Sequence, residues 1–187
     1  MLNLEPKKVW EHFEALSKIP RGSGNERNAA QFVISVAKAK GLEWEQSEVG
    51  NVVIRVPATP GREKAPITVL QGHLDMVHQK NADTNFDFET EGIRMFVDGD
   101  WVKAEGTTLG ADNGIGVAAI LAVLAADDIP HPAIEALFTI DEETGMTGAT
   151  GLREDVLSGA ILLNPDTEDD GELTIGFAGA VNVGASR

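Results

Sequence analysis

The amino-acid sequence predicts an α/β protein: a three-layer α/β/α sandwich with a mostly parallel mixed sheet. Short β-branched and aliphatic runs alternate with stretches of helical length, the pattern of strand–helix–strand units. Several of those runs are apolar almost throughout, as interior strands are. Glycine, proline and asparagine punctuate the boundaries between them.

Taken in order, "EPKKVWEHFEALSKI" sets Val9, Trp10, Phe13 and Leu16 on one helical face, with Pro6 near the first turn. "SGNERNAAQFVISVAKAKG" reads as a second helix, with Ser23 or Asn25 as N-cap and Gly41 as its stop. "LEWEQSEV" and "NVVIRVPA" read as paired strands turning at Gly50–Asn51, and "PITVLQG" as a central strand. "IRMFVDGDWVKAEG" is a hairpin about Asp98, Gly99 and Asp100. "NGIGVAAILAVLAADD" is apolar through its middle and reads as a buried helix. "AIEALFTI" and "GAILLNPD" read as further interior strands, and "GELTIGFAGAVNV" as one more.

Composition narrows the function. The chain has 187 residues, enough for one domain with a sizeable core, and is 42% hydrophobic and 24% charged. A net charge of −15 argues against nucleic acid or an anionic membrane as partner, because phosphate binding needs clustered Lys and Arg. The absence of cysteine removes disulfides and thiolate metal sites. "MLNLEPKKVW" has no apolar signal region, and no apolar run is long enough to span a bilayer, so a cytoplasmic location is expected. The chain stops at "VNVGASR" with no turn or cap, as a piece of a longer polypeptide would.

The polar residues are informative by position. "ITVLQG" runs into His73 and Asp75, "LFTI" into Asp141, Glu142 and Glu143, and "ILLN" into Pro165 and Asp166. "TTLGADNG" puts Asp112 and Asn113 just ahead of the buried helix. Ligands of open α/β sheets bind outside the carboxyl ends of the strands, so these groups should face one crevice. Carboxylates crowded together repel and take up protons unless a cation sits among them. One imidazole with several carboxylates suits zinc, cobalt or manganese, and a bridging carboxylate would hold two ions roughly 3.5–4 Å apart. Residues two apart on an extended chain point the same way, so Asp75 can accept the second ring N–H of His73. The neighbours Glu142 and Glu143 point apart: one can bind metal while the other faces a water.

Each piece also has an ordinary reading. His-x-Asp can be a simple hydrogen-bonded pair, Glu-Glu a solvated edge, "NPD" a turn, and Asp112 a helix cap. His12, His78 and His131 lack a supporting acidic spacing and are left outside the site. Gly22 and Gly24 suggest a phosphate loop, but no Lys-Ser/Thr follows.

The blocks "QGHLDMV", "TTLGADNGIG", "DEETGMTGA" and "NPDTEDDGE" resemble, in order, the metal-site blocks of the dinuclear zinc dipeptidase and aminoacylase family. "GNVVIRVPATPG" and "DGDWVKAEGTTLGADNGIG" resemble its aminoacyl-histidine dipeptidase subgroup more than its deacylases. The resemblance implies a zinc-peptidase-like (phosphorylase/hydrolase-like) sandwich and two divalent ions, zinc with cobalt or manganese as alternatives. His73 and Asp166 would bind the first ion, Asp112 would bridge both and precede a cis peptide, and Glu143 would bind the second. Asp75 would orient His73, and Glu142 would be the general base. Asp141, Pro165 and His78 stand where the family carries other residues. The implied substrate is a dipeptide of Xaa-His type, such as β-alanyl-histidine, with broad specificity. A deacylase, a tripeptidase or a non-catalytic metal- or peptide-binding module are the alternatives. Residues 1–187 would be the N-terminal portion of the catalytic domain. The lid or dimerisation domain and the C-terminal catalytic segment, with another His ligand, would follow, so this portion alone is expected to be inactive and the whole protein a homodimer.

Overall fold

A computed structural model describes residues 2–167, 171 and 173–176. The first helix, α1 (Lys7–Ser17), starts at Pro6, whose fixed φ and missing N–H suit a helix entry, and buries Phe13 and Leu16. The second, α2 (Arg27–Ala39), buries Ala29, Ala30, Val33, Ile34 and Ala37 along one stripe. It ends at Gly41, whose φ of +65° lies where a side chain is disfavoured. Neither Ser23 nor Asn25 caps it: the N-cap residue is Glu26, with no side-chain cap bond. The Ser23 hydroxyl is committed to Asp75 instead, which overrides its local preference.

Strands β1 (Glu43–Gln46) and β2 (Val52–Val56) form the expected antiparallel pair. Strand β3 (Thr68–His73) lies between β6 (Ile134–Thr139) and β7 (Ile161–Leu163), parallel to both. The sheet order is β1-β2-β6-β3-β7, and β2 runs antiparallel to β6, so the sheet is mixed with a parallel half. Strands β4 (Met95–Asp98) and β5 (Trp101–Ala104) form a separate hairpin, as the Asp-Gly-Asp turn predicts. Between β5 and β6 runs α3 (Ala111–Ala125), packed on α1 and β3.

The two faces of the sheet are covered unequally. On one, Val52, Ile54, Ala136 and Phe138 pack with α2 and α3 residues such as Val33, Ile34, Val117 and Leu121. Each of these Val, Ile, Leu and Phe side chains, once buried, contributes about 1.5–3 kcal/mol. On the other face, Val53, Val69 and Leu137 meet Val156, Leu152 and Leu157, beyond the one-turn helix α4 (Thr147–Thr150). The third layer of the expected sandwich is therefore thin among the described residues.

Two strand expectations change. The "GAILL" strand is not interior among the described residues: there β7 has β3 as its one neighbour, and Ile161, Leu162 and Leu163 are exposed. Of the strand expected over "GELTIGFAGAVNV", residues 171 and 173–176 are outside any strand, and the rest falls outside the described residues.

Strand register positions the crevice. His73 is paired with Thr139, so β3 and β6 end side by side. Whatever follows His73 therefore meets whatever follows Thr139.

Candidate metal centre

His73 is buried, with both ring nitrogens engaged. Nδ1 lies 3.2 Å from Asp75 Oδ1, and Nε2 lies 2.8 Å from Asp112 Oδ1. Nε2 is also 3.7 Å from Asp166 Oδ1 and 4.0 Å from Glu142 Oε2. The ligand atoms of His73, Asp112 and Asp166 all lie within 4.8 Å of one another. Strand β3, the start of α3 and the segment after β7 thus converge on one imidazole.

Asp75 is buried against the ends of two strands. Its Oδ1 accepts the Glu142 N–H at 3.0 Å, while its Oδ2 accepts the Glu143 N–H at 3.1 Å and the Ser23 hydroxyl at 2.7 Å. Burial alone would raise this carboxyl, but His73, Ser23 and the two amides hold it well below the usual carboxylate range. His73 shows the reciprocal effect: burial disfavours its charge, yet Asp75, Asp166 and Asp112 push it up to about 9. Acidic neighbours at both ring nitrogens thus favour positive charge at this position.

Asp112 is no helix cap. Its backbone is non-helical (φ −77°, ψ 119°), its peptide to Asn113 is cis, and its carboxylate goes to His73. Asn113 is buried and ties this start to the next segment, donating to the Pro165 carbonyl at 2.9 Å and to Asp166 Oδ1. A Cβ on Gly72 would stand 2.6 Å from Asn113 Oδ1, which explains a glycine inside β3.

Glu142 and Glu143 differ from Asp75 in lacking compensation. Burial raises the Glu142 carboxyl, and Asp166, Asp75 and Asp112 raise it further against the pull of His73. Glu143 is raised by burial and by Asp112, again opposed by His73. Glu143 joins neither of the two three-residue clusters of ligand atoms among the described residues. The second cluster, Glu26, Asp75 and Asp141, is satisfied from within. Glu26 Oε1 accepts the Gly24 and Asp141 amides, and the Asp141 carboxylate accepts the Thr144 and Thr147 hydroxyls.

The first cluster fits a divalent cation. Around tetrahedral zinc, with bonds of about 2.0–2.1 Å, neighbouring ligand atoms stand roughly 3.3–3.4 Å apart. The observed 2.8 and 3.7 Å separations from His73 Nε2 bracket that spacing.

Two residues here escape a reading of the sequence as motifs: Arg21 and Ser23. They lie in "PRGSGNE", where the glycines draw attention and the side chains between them matter more. Of the histidines set aside, His78 stacks on Phe88, His12 meets the edge of Phe32, and His131 contacts the Pro132 carbonyl.

An α/β sheet with a carboxylate–imidazole cluster at the ends of its parallel strands defines the class, and comparison with known proteins supplies the family. The sequence profile of peptidase family M20/M25/M40 matches residues 69–180, and the chain belongs to that family. It is 48% identical over 179 residues to the cytosol non-specific dipeptidase of Escherichia coli (strain K12), covering 96% of this chain and 37% of that protein. The crystal structure of aminoacylhistidine dipeptidase from Vibrio alginolyticus superimposes with a TM-score of 0.88 at 50% identity, covering 90% of this chain and 34% of that one. A tripeptidase from Staphylococcus aureus superimposes with a TM-score of 0.75 at 26% identity, covering 89% and 45%. The chain thus spans about a third of the length of the first two relatives.

Proposed function

We propose that the chain supplies the first part of the catalytic unit of a metal-dependent dipeptidase acting on Xaa-His dipeptides such as β-alanyl-histidine, with broad specificity. The observation that carries this reading is the convergence of His73, Asp112 and Asp166, with Glu142 4.0 Å from the imidazole. Sequence identity to a dipeptidase over nearly the whole chain supports the substrate class.

His73 and Asp166 would hold a first ion, Asp112 would bridge, and Glu143 would serve the second ion. Zinc suits the set, with cobalt or manganese as alternatives. Bound there, the ions would supply Lewis-acid polarisation of the scissile carbonyl and lower the pKa of water. The chain's own residues do the rest. Asp75 accepts from His73 Nδ1 and keeps Nε2 turned toward the crevice. Glu142 takes a proton from water as its oxygen bonds to the carbonyl carbon, then delivers it to the amine nitrogen as the C–N bond breaks. An elevated carboxyl pKa suits that shuttle, since a base works best near the ambient pH.

In the full-length protein, Glu142→Ala should keep its metal and lose most turnover; undiminished turnover would falsify the base assignment. Metal bound without any hydrolysis by the full-length protein would favour a binding module. The likeness to a tripeptidase favours a second reading on the same scaffold. Turnover of tripeptides or acetylated amino acids above β-alanyl-histidine would move the assignment to a tripeptidase or deacylase. Among the described residues no helix is long and apolar enough to cross a membrane. We place the whole protein in the cytoplasm as a homodimer, to be checked by fractionation and sedimentation.

A further inference from the structure

Arg21 is the largest fully buried side chain among the described residues. Its guanidinium donates through Nη1 to the Leu74 carbonyl at 2.9 Å and the Asp75 carbonyl at 2.8 Å. Through Nη2 it donates to the Gly110 carbonyl. Leu74 and Asp75 follow His73 directly, and Gly110 stands two residues ahead of Asp112. One planar cation therefore holds two backbone segments that carry different members of the cluster. The surroundings are shaped to admit it: a Cβ on Gly110 or on Gly114 would stand 2.6 Å from Nη2. Its Nε finds no partner among the described residues, so the group is buried at some cost. Burial lowers its pKa to about 10, still charged at neutral pH.

We infer that Arg21 is a positioning residue, a three-carbonyl clamp that sets the separation of His73 from Asp112 and so the metal affinity and turnover of the site. This rests on the metal-site reading above. Geometry distinguishes a clamp from a mere buried charge. A lysine keeps the charge but loses the rigid fork that reaches three acceptors at once. The rest of the loop agrees: the Met76 N–H donates to the Arg21 carbonyl at 3.1 Å, so the 21–23 segment and the 74–76 segment are laced together.

The test uses the full-length protein with Arg21→Lys and, separately, Gly114→Ala, which crowds the guanidinium without removing it. Zinc affinity is measured by calorimetry and hydrolysis of β-alanyl-histidine by steady-state kinetics, with circular dichroism to confirm folding. In both variants zinc affinity should fall about 10–100-fold, the loss typical when a ligand's outer support is removed. The turnover number should fall on the order of 100-fold while KM stays within about twofold, because misplacement acts on the reacting geometry. A folded Arg21→Lys with wild-type zinc affinity and turnover overturns the clamp, since charge alone then suffices. A lowered melting temperature with unchanged zinc affinity overturns it too, as a purely structural role. Should Arg21→Lys not fold, Gly114→Ala decides on the same readouts. A wild-type protein that binds zinc without hydrolysing dipeptides overturns the dipeptidase reading alone, because calorimetry still reports on the clamp.

Discussion

The two ends of β6 carry acids with opposite circumstances. Near the start, Glu135 is buried and fully compensated: Ser158 N–H at 2.8 Å, Ser158 Oγ at 2.7 Å and Gly159 N–H at 2.9 Å all donate to it. Burial alone would raise its carboxyl, but those three donors, with Arg55 behind them, bring it below the ordinary value. Just past the other end, the Glu142 and Glu143 carboxyls are raised by burial and by like charges. One strand thus joins a carboxylate that fastens the fold to carboxylates that strain it. Burial of an acid is therefore not by itself a sign of a site.

The sharpest way to break this contrast is a pair of isosteric changes in the full-length protein. Glu142→Gln should reduce turnover by about 10²–10⁴-fold, the usual value of a positioned general base. In the metal-free protein it should leave stability unchanged or raised, because a repelled charge is removed; a clear loss of stability would contradict the contrast. Next in size is Asp75→Asn. An amide nitrogen cannot accept the N–H groups that a carboxylate oxygen does, so zinc affinity should fall about 10–100-fold by calorimetry.

Glu135→Gln is the converse of the first change. It should cost about 1.5–3 kcal/mol in urea unfolding, the range for hydrogen bonds to a charged group, while turnover by the folded protein stays unchanged. The smallest effect is its pH dependence. A lowered carboxyl contributes stability above its unfolded value near 4.5, and that contribution is lost as pH falls through the folded value. The stability gap between wild type and Glu135→Gln should therefore be full at neutral pH and narrow as pH falls below 4.5 through the folded value. A gap that does not narrow as the solution is acidified would show that packing rather than charge holds Glu135.

Much of this contrast is legible in the sequence at one end of the strand and not at the other. The placement of His73, Glu142 and Asp166 follows from where apolar runs stop, because a parallel sheet aligns the carboxyl ends of its strands, and that of Asp112 from where the apolar helix begins. Glu135 sits inside "AIEALFTI" with no local signal, since its donors arrive from residues 158 and 159, more than twenty positions on. Ser23 departs from its local preference for the same reason: the sequence around it offers a helix cap, while Asp75 offers a partner 52 residues away. The exposure of β7 is equally invisible, because an aliphatic run looks alike whether or not another layer covers it.

The segment carrying Arg21, Ser23 and Glu26 draws its partners from far along the chain. Its partners at Gly110 and Asp141 stand 89 and 115 residues downstream. Closing loops that long is slow compared with winding a helix, so the crevice should gain its grip on metal only after most backbone structure has formed. In a refolding experiment, zinc capture should trail the recovery of helical ellipticity, with a lag set by chain topology rather than by metal concentration.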